Sequence, residues 1–127
     1  MTKKSETDFT VSFEQRDGYL YAFVRGQKDD LEVSKSFWAQ IHSKAVELKS
    51  KAVLIEEDFP NQPTTIEMFK LAQFATELFK DGTKVAHVDK QISDIDLNKF
   101  GETVGVNRGL NVRVFSKIQD AEKWLKE

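Results

Sequence analysis

Phe9, Val11 and Phe13 alternate with Thr10, Ser12 and Glu14, the period of a strand with one buried face. Asp17-Gly18 follows, a two-residue turn whose second position takes positive φ, so the chain returns as an antiparallel hairpin along Tyr19 to Arg25. The turn sets the register, with Phe13 opposite Ala22 and Val11 opposite Val24. Leu20, Ala22 and Val24 then face the core, while Tyr19, Tyr21 and Phe23 share the other side with Ser12 and Glu14. That outer side is half polar and is expected to be only partly covered.

The period then changes from two to 3.6. From Asp30 to Lys49, Val33, Phe37, Ile41, Ala45 and Leu48 form a narrow apolar stripe, with Lys35, Gln40, Lys44 and Glu47 facing water. Ala52 to Ile55 is a short apolar run that ends in Glu56, Glu57 and Asp58, which suits a central strand reaching the surface at its carboxyl end. Pro60, Asn61 and Pro63 stop it, and Thr64-Thr65-Ile66-Glu67 matches a capping box that starts a helix running to Lys80. Met68, Leu71, Ala72, Ala75, Leu78 and Phe79 fill one face of that helix. Ile66 falls almost opposite the centre of that face, and Phe69 and Phe74 fall on its flanks. Asp81-Gly82 closes the helix.

Lys84 to Val88 reads as the next strand. Between Asp89 and Asn107, Ile92, Ile95, Phe100 and Val104 recur at near-helical spacing, but Gly101 and Gly105 each weaken a helix by about 1 kcal/mol relative to alanine, so a short or loose helix is expected. Asn107-Arg108-Gly109 stops it, Asn111 to Phe115 is a last strand, and Ser116 with Gln119 suggests a second capping box before a final helix that buries Ile118, Ala121 and Leu125. The order is ββαβαβαβα, an α/β chain whose strands after the hairpin run parallel through right-handed crossovers. Met1 to Asp8 is polar and reads as a disordered tail, leaving 9–127 as a single domain.

Composition narrows the function classes. A chain of 127 residues with 39% hydrophobic and 31% charged residues is the size and type of one soluble domain, and a net charge of -2 gives no electrostatic reason to expect nucleic acid. With no cysteine, the chain has no disulfide framework, thiolate nucleophile or thiolate metal site. No apolar stretch is long enough to span a membrane and the first residues lack a secretory core, so a cytoplasmic location is expected.

The order of elements and two local motifs resemble the SpoIIAA-like proteins of the STAS and CRAL-TRIO type. The motifs are Glu102-Thr103-Val104-Gly105-Val106-Asn107-Arg108-Gly109 before the last strand, and Val114-Phe115 followed by Asp120-Ala121-Glu122-Lys123-Trp124-Leu125. The resemblance covers about residues 9 to 126. It implies a superhelix of βα units with a mixed five-stranded sheet that opens with a hairpin and carries its helices mainly on one face.

The STAS branch implies a phosphoacceptor at the start of the helix after a strand. Here that place is held by Thr64 or Thr65, and Phe59-Pro60-Asn61-Gln62-Pro63 stands where the family has its serine and preceding aspartate. The CRAL-TRIO branch implies an apolar or lipid ligand between mobile helices and the sheet.

Each candidate site has an ordinary structural alternative. Phe59, Ile66, Phe69, Phe74 and Phe100 form the candidate ligand or membrane surface, against coverage by neighbouring loops. Thr64 is also a plain helix cap. Arg108 could meet a headgroup or cap the preceding helix. Tyr19, Tyr21 and Phe23 could form a homodimer patch or a shielded sheet face. Glu56, Glu57 and Asp58 read as a solvated strand end, because neighbouring residues on a strand alternate faces. His42 reads as a packing residue near Trp38, and His87 shows no catalytic or metal partner in sequence.

No phosphate loop, nucleophile elbow or metal-ligand spacing is present, so the expectation is a non-enzyme without catalytic residues, metal or cofactor. The leading expectation is a binding protein for an apolar or lipid-like ligand held between the helix from Thr65 and the segment Ile92 to Val104, with transient membrane contact. The alternative is a STAS-type module that docks a protein partner and is switched at Thr64 or Thr65.

Overall fold

The computed structural model describes residues 9–127. The expectation for Met1 to Asp8 lies outside the described residues. β1 (Phe9–Arg16) and β2 (Tyr19–Gly26) form the hairpin, followed by α1 (Leu31–Glu47), β3 (Ala52–Asp58), α2 (Thr65–Leu78), β4 (Lys84–Asp89), a single 3-10 turn (Ile92–Asp94), α3 (Ile95–Asn107), β5 (Val112–Phe115) and α4 (Ile118–Leu125). Gly18 adopts a φ of 86° in the hairpin turn, a conformation that only a residue without Cβ takes without strain. The resulting register pairs Phe13 with Ala22 and Val11 with Val24.

The five strands lie in sequence order, β1 antiparallel to β2 and every later pair parallel. Strand alternation sorts their side chains into two layers. On one face Leu20, Ala22, Val24, Val53, Ile55 and Val85 are all but sealed from solvent beneath α1, α2 and α3. Phe37 of α1 bridges Phe9 and Phe59, with ring centroids 5.8 Å from each. On the other face Tyr19, Leu54, Ala86 and Val88 are buried against Ala121 and Leu125 of α4. Three helices on one side and one short helix on the other give the α/β architecture expected from the pattern.

The caps decide where the helices start. Asp30 accepts the Val33 N–H at 3.0 Å at the start of α1. At the start of α2, the Thr64 hydroxyl accepts the Glu67 N–H at 3.2 Å, while the Glu67 carboxylate accepts the Thr64 N–H at 2.9 Å. That reciprocal pair is the capping box read from the sequence, and it satisfies two donors that the first turn leaves open. The second expected box is absent: α4 is capped by Lys117, with no side-chain hydrogen bond. The 3-10 turn ahead of α3 takes up Ile92, and the helix proper runs through Gly101 and Gly105. Gly101 faces Met68, whose Sδ would lie 2.7 Å from a Cβ there, so the glycine lets α2 and α3 approach closely.

Candidate functional site

The carboxyl ends of β3 and β4 gather most of the buried polar groups among the described residues. Glu57 continues the inward face of Val53 and Ile55, and His87 and Asp89 continue that of Val85, so alternation carries all three under the helices. Glu57 and His87 are 3% and 7% exposed, and His87 Nε2 lies 2.7 Å from Glu57 Oε2. Asp29, in the loop before α1, joins them. It accepts a hydrogen bond from the buried Ser34 hydroxyl, and its backbone N–H donates to the Asn61 carbonyl at 3.0 Å. Asp89 accepts from Asn98 Nδ2 at 3.0 Å and from the Gln91 N–H at 2.8 Å.

Burial governs the protonation of this cluster. Desolvation, reinforced by the Glu57 carboxylate, pushes Asp29 up to about 9, so its carboxyl is protonated at neutral pH. Asp89 is raised to about 6, again chiefly by burial and against the pull of its two hydrogen bonds. For His87 burial alone would act downward, but the carboxylates of Glu57, Asp89 and Glu102 outweigh it and the net shift is upward. The Glu57 carboxylate thus favours the charged imidazole of His87 over the neutral one.

A cavity of about 50 Å³ opens beside this cluster, between α2, α3 and the sheet. Met68, Leu71, Ala72 and Ala75 form its α2 wall, Asn98, Gly101 and Glu102 its α3 wall, and Asp29, Glu57 and His87 its polar end. Among the described residues, Trp38 Nε1 and His87 Nδ1 are buried without a hydrogen-bond partner, and both residues line this cavity. No three of the described His, Asp or Glu side chains are placed to share a metal ion.

These placements correct several expectations. Glu57 is not part of a solvated strand end; it is among the most enclosed acids in the domain. His87 has an acid partner, which lies on the neighbouring strand and not beside it in sequence. Phe59 is fully buried and stacked on Phe37, so it is a core residue and no gate. Tyr19 is 1% exposed beneath α4, with its hydroxyl donating to Glu122, which removes it from an outer dimer patch. Tyr21 and Phe23 are half-buried on that face.

The other sequence candidates stay on the outside of the two helices. Ile66 is 69% exposed, Phe69 37% and Phe100 38%, Phe74 is half-buried, and none of them lines the cavity. Arg108 is the C-cap of α3, its backbone N–H donating to the Gly105 carbonyl at 3.0 Å, and its guanidinium stands over the Phe69 ring, 5.3 Å from the centroid, in a cation–π contact. Thr64 and Thr65 are both exposed. A cavity does lie between the two elements expected to hold a ligand, but its volume is far below the roughly 300 Å³ from which sites for drug-sized molecules start.

A crystal structure of an anti-sigma factor antagonist from Mycobacterium paratuberculosis superposes with a TM-score of 0.67 at 15% identity, over 95% of this chain and 97% of that one. A second, of an uncharacterised protein with a SpoIIAA-like fold from Shewanella loihica, superposes with a TM-score of 0.54 at 14% identity, over 93% and 94% of the two chains. This chain has a SpoIIAA-like fold. No family model and no curated protein matches the sequence. Within the SpoIIAA-like fold, the CRAL-TRIO side of the resemblance gains no support from either neighbour or from the size of the cavity. No described helix is long and apolar enough to cross a membrane.

Proposed function

We propose that this protein is a non-catalytic, STAS-type regulatory module that docks a protein partner on the outer surface of α2 and α3. The observation that carries this reading is the exposed apolar set Ile66, Phe69, Phe100 and Val106, 37% to 69% exposed, on two helices packed side by side. Single exposed apolar residues are ordinary, but a group of them on adjoining helices is typical of a docking surface. Lys70 and Arg108 are exposed on α2 and in the turn after α3, which favours an acidic partner segment. The Mycobacterium structure with which the chain superposes is described as an anti-sigma factor antagonist, which supports a protein partner over a lipid one.

The switch belongs at Thr65. The Thr64 hydroxyl is committed to the cap, whereas Thr65 is exposed in the first helical turn, where the positive end of the helix dipole accommodates a phosphate. A phosphate there would place negative charge beside the apolar set and oppose an acidic partner.

The test compares wild type, Phe69→Asp and Thr65→Glu by affinity purification from the native source with quantitative mass spectrometry, alongside vesicle flotation. A protein enriched by wild type and lost from both variants supports docking. Equal recovery by all three, or flotation of wild type but not Phe69→Asp without a protein partner, rejects it.

A further inference from the structure

We propose that the cavity between α2, α3 and the sheet is a binding site for a small neutral molecule that carries one hydroxyl on a short apolar body, such as a branched alcohol of a few carbons. The inference rests on the inner walls of the two helices and stands apart from the docking reading of their outer surfaces.

Size sets the first limit. A volume of about 50 Å³ holds three to five water-sized groups, at roughly 10–15 Å³ each, so the occupant has only a few non-hydrogen atoms. Wall chemistry sets the second. Met68, Leu71, Ala72 and Ala75 present hydrocarbon and thioether, against which a lone water gains little.

The polar end then selects the functional group. Trp38 is 5% exposed and His87 7%, and their Nε1 and Nδ1 atoms are buried without partners among the described residues. A buried polar atom left unpaired is costly, so an occupant that pairs with either one is favoured. The indole N–H can only donate, so it needs an acceptor. The carboxylates of Glu57 and Glu102 line the same cavity and oppose an anionic acceptor such as a carboxylate, and the neutral Asp29 carboxyl offers it no charge. A cation would suit those acids but would leave Trp38 unanswered. A hydroxyl accepts from Trp38 Nε1 and can still donate to a carboxyl oxygen, so it answers the indole without adding charge.

The experiment uses the full chain labelled with 15N and follows its two indole N–H resonances during titration with isobutanol, with butyrate and isobutylammonium as charged counterparts. Trp124 packs on Phe115 on the opposite face of the sheet and serves as the internal reference. Isobutanol is expected to shift the Trp38 resonance to saturation while Trp124 stays still. Ala75→Leu, which extends a side chain into the cavity, is expected to abolish that saturation. If Ala75→Leu does not give a folded spectrum, Ala72→Val takes its place.

A Trp38 shift that rises linearly without saturating overturns the proposal, as does one unchanged in the filled variant. Saturation by butyrate in place of isobutanol also overturns it. So does a water contact at the Trp38 indole that persists undiminished at the highest isobutanol concentration, which would mark a merely hydrated void.

Discussion

His87 Nε2 and Glu57 Oε2 meet at 2.7 Å across neighbouring parallel strands, both sealed beneath the helices. Removing one partner of such a pair leaves a buried charge uncompensated. Glu57→Gln is expected to destabilise the fold by about 3 kcal/mol or more, read from the urea midpoint at constant m-value. Replacing both residues together, Glu57→Met with His87→Leu, is expected to recover most of that loss, because no orphan charge remains.

The same cluster sets the pH dependence. Asp29 binds its proton up to about 9 in the folded state against the ordinary carboxylate value of 3.8, so the folded chain holds the extra proton between those limits and loses stability as pH rises through them. Asp89, at about 6, acts in the same direction over a narrower window. His87, raised from 6.5, adds stability that is present below that value and lost as pH climbs through its folded pKa. Asp81 runs the other way: hydrogen bonds from Lys51 and Thr83 hold it near 2, so its small, solvent-screened contribution fades only below the ordinary carboxylate range. The denaturant midpoint is therefore expected to be highest near pH 4 and fall toward pH 9, and Asp29→Asn is expected to flatten that slope.

At the start of α2, two neighbouring threonines separate structure from regulation. Thr64→Ala removes the hydroxyl that accepts the Glu67 N–H and is expected to cost about 1 kcal/mol in thermal or chemical unfolding. Thr65→Ala, at an exposed position, is expected to stay within about 0.5 kcal/mol. A loss of similar size at both positions would show that the box is not what starts the helix.

Aromatic residues of similar sequence character divide by burial. Phe59→Ala empties a fully enclosed site stacked on Phe37 and is expected to cost about 3–5 kcal/mol. Ile66→Ser, at 69% exposure, is expected to move stability by no more than about 0.5 kcal/mol while weakening partner docking. Circular dichroism melts of the two variants beside wild type check the contrast.

Periodicity made the fold legible. Alternation from Phe9 to Val24, with Asp17-Gly18 between, gave the hairpin and its register, and Thr64 with Glu67 marked the start of α2. Ser116 and Gln119 have the same spacing but sit one residue out of phase with the α4 cap, since spacing alone does not fix the backbone turn. The buried cluster was harder to see, because its members come from the β2–α1 loop, two strands and α3. Part of the signal was nonetheless present: Glu57 lies two residues beyond Ile55, as His87 lies two beyond Val85, so each shares its buried face. Three consecutive acids resemble one solvated group, which conceals it. Phe59 follows that acidic run, so its local sequence points to the surface. Nothing local in sequence signals that the chain there turns back across Phe37.

One border of the sheet is already occupied. On β5, the Val114 N–H donates to Glu102 Oε2 at 2.6 Å and its carbonyl accepts from Lys99 Nζ at 3.3 Å, so α3 places a carboxylate and an ammonium on the backbone groups that an incoming strand would need. A second chain cannot extend the sheet there without displacing both. Clearing that border for a second strand takes both changes together, Glu102→Ala and Lys99→Ala.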